Sequence, residues 1–171
     1  LGLGGLRFPT EPGTPNRIDR TEGQKVVDAA LAHGINYIDT AFTYQQGDSE
    51  RFLGEALAKY PRDSYKLATK FYVAHSTDLP AVFEEQLRRC QTDYFDFYLL
   101  HCLDEETIDA YQDKKRGYLD YLLQQKASGR IRHIGFSSHA APDTLSRFLD
   151  WYDQFDMALI QPVSYTHLTL P

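Results

Sequence analysis

Strand-like and helix-like runs alternate along this chain at about 30 residues per unit. That rhythm constrains the fold more than any other feature of the sequence. A strand, a helix and a second strand joined in series leave the two strands parallel, with the helix packed on the sheet they form. Strands are expected in the Gly-rich opening Leu1 to Arg7, at Asn36 to Asp39, Tyr65 to Lys70, Asp93 to His101, Arg130 to Ser137 and Met157 to Gln161. Between them lie helical spacings. Val26, Val27, Ala30 and Leu31 recur over Gly23 to His33, with Thr21 and Gln24 as a capping box at the start and Gly34 as the stop. Phe52, Leu53, Ala56 and Leu57 share one face behind Asp48-Ser49, which can cap that helix. Asp78 and Pro80 open a helix that turns Val82, Phe83 and Leu87 inward. Gly117 to Ser128 and Pro142 to Asp153 complete the set.

Two architectures share this rhythm. A doubly wound dinucleotide-binding sheet wants a G-x-G-x-x-G turn between its first strand and first helix. Here GLGG lies in the first loop, but a dozen further residues separate it from the helix, so it is weak evidence for a phosphate loop. Ionisable or polar residues stand at the ends of the second to fifth strands, which favours a (β/α)8 TIM barrel with a shared site at its mouth. Six strands of eight are recognisable, so the expected class is an incomplete α/β barrel.

Composition narrows the partners. The 171 residues suggest one domain, and 42% hydrophobic with 25% charged residues describes an ordinary globular chain. A formal net charge of -6 gives no electrostatic case for nucleic acid or an acidic membrane. No apolar run approaches the roughly 20 residues that span a bilayer, and no basic, apolar leader opens the chain. Cys90 and Cys102 have no CxxC partner and read as reduced thiols, so the expected location is cytoplasmic. No His/Cys pattern with metal-ligand spacing is present, and no metal is expected.

Asp39, Tyr44, Lys70 and His101 each fall at or just after a strand's C-terminal end. A barrel would bring all four to one mouth. Singly each has a bland explanation: an Asp turn, a half-buried Tyr, a solvated Lys, a core His. Together they make chemical sense. A free tyrosine, with a pKa near 10, is a poor acid at neutral pH. A lysine ammonium beside it is expected to lower that pKa, and a carboxylate would hold the ammonium in place. A histidine can orient a carbonyl oxygen by hydrogen bonding. The sum suits carbonyl reduction with hydride from a bound cofactor. A Schiff-base role for Lys70 would need it buried and unpaired.

The segments GINYIDTAFTY, LATK, DFYLLH and IGFSSH together resemble the aldo-keto reductase family. The resemblance implies a TIM barrel that reduces an aldehyde or ketone to an alcohol. In it Tyr44 is the proton donor, Asp39 and Lys70 tune it, and His101 orients the carbonyl. It further implies NADPH as cofactor, with NADH left open, and a small-molecule carbonyl as partner. The nicotinamide carboxamide would be held by Ser137, Ser138 and Gln161. Many members have Ser-Asn where this chain reads Ser137-Ser138-His139. GDSERFLGEAL and PRDSYKLATK are similar to a bacterial branch that often carries a C-terminal iron–sulfur segment, although no cysteine cluster for one occurs here. A non-catalytic barrel that binds the nucleotide as a sensor or regulatory subunit could keep the same residues.

The resemblance covers residues 1–161, expected as a partial barrel domain; residues 162–171, VSYTHLTLP with its preceding Pro162, depart from the family's pattern and read as a truncation or frame artefact. A TIM barrel takes about 250 residues, and six strands leave an open edge. The 171-residue chain alone is therefore expected to be unstable or inactive; substrate identity and oligomeric state are not legible.

Overall fold

A computed structural model describes residues 1–160 of the chain. Six strands form one parallel sheet: β1 (Gly2–Gly4), β2 (Tyr37–Asp39), β3 (Lys66–Phe71), β4 (Phe95–Leu103), β5 (Ile131–Ser138) and β6 (Met157–Ile160). Each strand pairs with its sequence neighbours in the order β1-β2-β3-β4-β5-β6. A doubly wound sheet would reverse that order at a switch point; this one advances in a single sense, as a barrel does. It is also curled, since the Tyr37 hydroxyl of β2 lies 3.4 Å from the Met157 sulfur of β6, four strands on. The arrangement is an incomplete (β/α)8 barrel.

The helices α1 (Arg20–Ala32), α2 (Asp48–Leu57), α3 (Leu79–Cys90), α4 (Ile108–Gln112), α5 (Tyr118–Ala127) and α6 (Pro142–Trp151) connect the strands. Their apolar faces and the outward strand residues make one core, which includes Ile38, Phe52, Leu53, Leu67, Phe83, Tyr98, Leu100, Ile134 and Phe148. Strand and helix positions follow the sequence pattern, apart from α4, whose five residues are too few to show a period.

The helix starts differ from expectation. Asp19, not Thr21, caps α1, accepting from the backbone N–H groups of Thr21 and Glu22. The Asp19 carboxylate, two residues earlier, takes the first free N–H groups, that of Thr21 included, so the helix already begins at Arg20. Gly47, with φ +87°, precedes α2, and Asp48 and Ser49 are drawn elsewhere. Asp48 accepts from Ile18 N at 2.8 Å and pairs with both terminal nitrogens of Arg20. Ser49 Oγ lies 2.8 Å from Thr40 Oγ1 and donates to Gly5 O at 3.0 Å. Both residues thus fasten the loops after β1 and β2 to α2 instead of capping it. Asp78 caps α3 as expected, accepting from Ala81 N at 3.0 Å.

Helices α2 and α3 touch through backbone. A Cβ on Gly54 would lie 2.4 Å from the Arg89 carbonyl oxygen and 2.9 Å from the Cys90 carbonyl carbon. Neither atom can swing aside as a side chain does. Gly54→Ala should therefore destabilise the protein by about 2 kcal/mol by forcing the helices apart; a urea midpoint equal to that of the wild type would contradict this packing.

Candidate active site

The chain places Asp39, Tyr44 and Lys70 by local rules. Asp39 is the last residue of β2 and Lys70 the penultimate residue of β3, in neighbouring strands where Asp39 is in register with Ala68. Two-residue alternation then turns Asp39, Ala68 and Lys70 to the barrel interior. Tyr44 opens a short 3-10 turn, Tyr44–Gly47, in which Gln45 and Gln46 are both left-handed, with φ of 44° and 54°. The Gln45 side-chain amide is hydrogen-bonded to the Leu6 carbonyl, so the turn is pinned to the loop after β1.

Lys70 is the centre of the cluster and is only 1% exposed. Its Nζ donates to Asp39 Oδ2 at 2.6 Å, to the Thr40 carbonyl at 2.7 Å and to Tyr44 Oη at 3.3 Å. Three N–H groups find three acceptors, which is what a buried ammonium requires. Its lone pair is not available for attack on a carbonyl, so the Schiff-base alternative has no support. Behind it, the Gln86 amide donates to Lys70 O at 3.0 Å and to buried Glu50 at 2.8 Å. Glu50 also accepts from Thr69 Oγ1 at 2.7 Å and from Arg89 at 3.2 Å. Sequence reading missed this support; its members are scattered over α2, β3 and α3, with no common spacing to reveal them.

His101 projects inward from β4, its ring edge-on to Tyr44 at 5.9 Å and to Tyr72 at 5.6 Å between centroids. With Tyr44, Lys70, Ser137, Ser138, His139, Leu159 and Ile160 it lines a cavity of about 350 Å³ at the C-terminal ends of the strands. Asp39 stands behind Lys70 rather than in the lining. Ser137 Oγ accepts from Cys102 N at 2.9 Å and donates to no acceptor among the described residues. Ser138 Oγ donates to Leu103 O and accepts from Ala140 N, both at 3.0 Å, so its hydroxyl is fully engaged. Gln161 lies outside the described residues.

Electrostatics correct one expectation. Lys70 was expected to lower the pKa of Tyr44, but the phenol is pushed well above 10, first by burial and then by the charge of Asp39. Burial disfavours the charged phenolate most, and the Asp39 carboxylate adds to it by opposing a second negative charge nearby. Burial also raises Asp39 and lowers Lys70, each opposed by the partner's charge. Tyr44 is thus firmly protonated at neutral pH. His101 is pushed down to about 3 by burial and then by the charges of Lys70 and His139, so its ring is neutral and carries one N–H. Asp39 Oδ1 and His101 Nδ1 have no hydrogen-bond partner among the described residues.

No helix among the described residues is long and apolar enough to cross a membrane. Cys90 and Cys102 are free thiols.

Comparison with known proteins follows from this geometry. The family model described as the aldo/keto reductase family matches residues 1–167. The aldo-keto reductase YhdN of Bacillus subtilis is 33% identical over 136 residues, covering 70% of this chain and 38% of that protein. The holo form of an aldo-keto reductase from Bacillus halodurans superposes with a TM-score of 0.74 at 32% identity, covering 94% of this chain and 52% of its own. An aldo-keto reductase from Klebsiella pneumoniae in complex with NADPH superposes with a TM-score of 0.67 at 29% identity, over 88% of this chain and 50% of its own. The chain spans about half the length of the relatives it matches, or less.

The His101 shift has a measurable sign. An unfolded histidine titrates near 6.5 and the folded one near 3. Between those values the unfolded chain binds a proton that the folded chain refuses, so the stabilising contribution is complete above pH 6.5 and is lost as pH falls. From pH 6.5 to 4.5 the wild type should lose roughly 2 kcal/mol more than His101→Gln in urea unfolding; equal losses would contradict a buried neutral ring.

Proposed function

The chain belongs to the aldo/keto reductase family, and we propose that the whole protein reduces an aldehyde or ketone to an alcohol with NADPH, Tyr44 giving the proton. The observation that carries this reading is the hydrogen bond from Lys70 Nζ to Tyr44 Oη. Because Oη accepts from the ammonium, its own proton is directed elsewhere, and the cavity is lined by Tyr44 on that side. A carbonyl oxygen held there would accept it. As the proton leaves, negative charge grows on Oη beside an ammonium already in position, so stabilisation rises with the charge and is greatest in the transition state.

Asp39 holds Lys70 charged and oriented without touching the substrate. Neutral His101 offers its single N–H to the same carbonyl oxygen and cannot compete as an acid. NADPH, when bound, would supply the hydride to the carbonyl carbon. The residues present fit its nicotinamide end: the Ser137 proton has no acceptor among the described residues, and His139 and Leu159 border the cavity. Ser138 fits less well, having no free donor, and Gln161 remains a proposed contact on resemblance alone. The Klebsiella relative in complex with NADPH supports the cofactor.

Tyr44→Phe in the whole protein should lower carbonyl reduction by about 10²- to 10⁴-fold, the usual worth of a positioned proton donor, with NADPH binding nearly intact. Undiminished turnover would remove Tyr44 from the mechanism. Tight NADPH binding by the wild type without turnover of any aldehyde or ketone in a broad panel would instead mark a nucleotide-binding sensor.

A further inference from the structure

The strand that carries His101 is irregular at that point. Leu100 is in register with Phe136 and Leu103 with Ser138, so β4 takes three steps where β5 takes two. The extra residue is accommodated at Cys102, whose φ is +52°, a conformation that a residue with a Cβ rarely adopts. Such a kink persists only where its surroundings hold it. Here three hydroxyls do so. Tyr111 Oη donates to the His101 carbonyl at 2.6 Å and accepts from Val73 N at 3.2 Å. It also lies 3.1 Å from the carbonyl of Phe71, the residue after Lys70. Thr107 Oγ1 donates to the Cys102 carbonyl at 2.9 Å, sharing its proton with Asp104 Oδ1 at the same distance. Ser137 Oγ accepts from Cys102 N. Both peptide groups flanking Cys102 are thereby fixed.

We propose that Tyr111, with Thr107 in support, is a positioning residue that clamps the bulge and so sets the angle at which the His101 ring meets the carbonyl oxygen. The assignment rests on the proposed role of His101. Tyr111 is buried, does not line the cavity, and acts only through the backbone. Its reach from α4 to the end of β3 also ties the His101 segment to the Lys70 strand, so the two halves of the site share one anchor.

The test is Tyr111→Phe in the whole protein, labelled with ¹⁵N-histidine. Sites are counted by NADPH titration, so that kcat refers to folded protein. The clamp predicts that kcat per site falls about 10- to 100-fold, as for small displacements of a reacting group, while NADPH affinity holds. It also predicts that the imidazole ¹⁵N signals of His101 shift while those of the exposed His33 do not. Thr107→Val should move both readouts in the same direction and Thr107→Ser should restore them, which keeps the test intact if Tyr111→Phe fails to fold. Unmoved His101 signals, or a kcat per site equal to wild type, would overturn the clamp. If the wild type reduces no carbonyl yet the His101 signals still move in Tyr111→Phe, the clamp stands and the reductase reading fails.

Discussion

The site depends on one buried ion pair. Burying an ammonium and a carboxylate costs several kcal/mol for each ion, and attraction between them offsets that only if the remaining polar atoms are satisfied. Lys70 satisfies its three N–H groups with a carboxylate, a main-chain carbonyl and a phenol, while Asp39 Oδ1 has no partner among the described residues. The pair therefore has only one arrangement, with β2 and β3 in their observed register and Tyr44 within reach. Slipping the strands by one residue would turn Lys70 into the apolar layer under the helices and leave Asp39 with no partner. The Glu50–Gln86–Thr69 network holds the Lys70 main chain from behind, on a side where substrate never comes. Its polar atoms sit in the core because they fix that strand end.

Much of this was legible in the sequence. The barrel order follows from the repeat, since a period of strand and helix leaves few topologies. Asp39, Tyr44, Lys70 and His101 could be placed at strand ends because strand alternation is strict. What failed to show was local competition. Thr21 is a plausible cap by spacing, but Asp19 two residues earlier starts the helix sooner, and Asp48 and Ser49 are taken by Arg20, Ile18, Thr40 and Gly5, partners that only the folded chain supplies. Tyr111 and Thr107 were invisible for a similar reason. They lie in a polar stretch with no period, and nothing in their spacing says that their hydroxyls reach the preceding strand.

The expected direction of the Tyr44 shift came from weighing the charge of Lys70 without the burial of the phenol. Alone, an ammonium beside a phenol favours the phenolate. In the folded chain burial prevails, and the charge of Asp39 acts in the same direction. The raised pKa keeps the proton on Tyr44 at neutral pH but makes the free site a weaker acid than an exposed phenol. A tyrosine with a pKa near neutrality would spend part of its time as phenolate, with no proton to give. A raised one is always loaded, and the hydrogen bond from Lys70 Nζ is the contact that meets negative charge on Oη as the proton leaves.

Backbone strain follows the same boundary. Among the described residues, four that are not glycine have positive φ: Gln45, Gln46, Gln91 and Cys102. Gln91 ends α3 as an ordinary left-handed cap. The other three lie within two residues of Tyr44 or His101 in the chain. Each costs on the order of 1 kcal/mol or more relative to a relaxed backbone, and the surroundings supply compensating contacts: Leu6 for Gln45, and Ser137 and Thr107 for Cys102. Regular strands and helices could not deliver these two side chains to a common point, since Tyr44 must turn back over β3 and His101 must stay inward while β4 regains its outward register at Leu103. The irregular backbone is the cost of that convergence, and the hydroxyls and amides that hold it belong to the site as much as the side chains it presents.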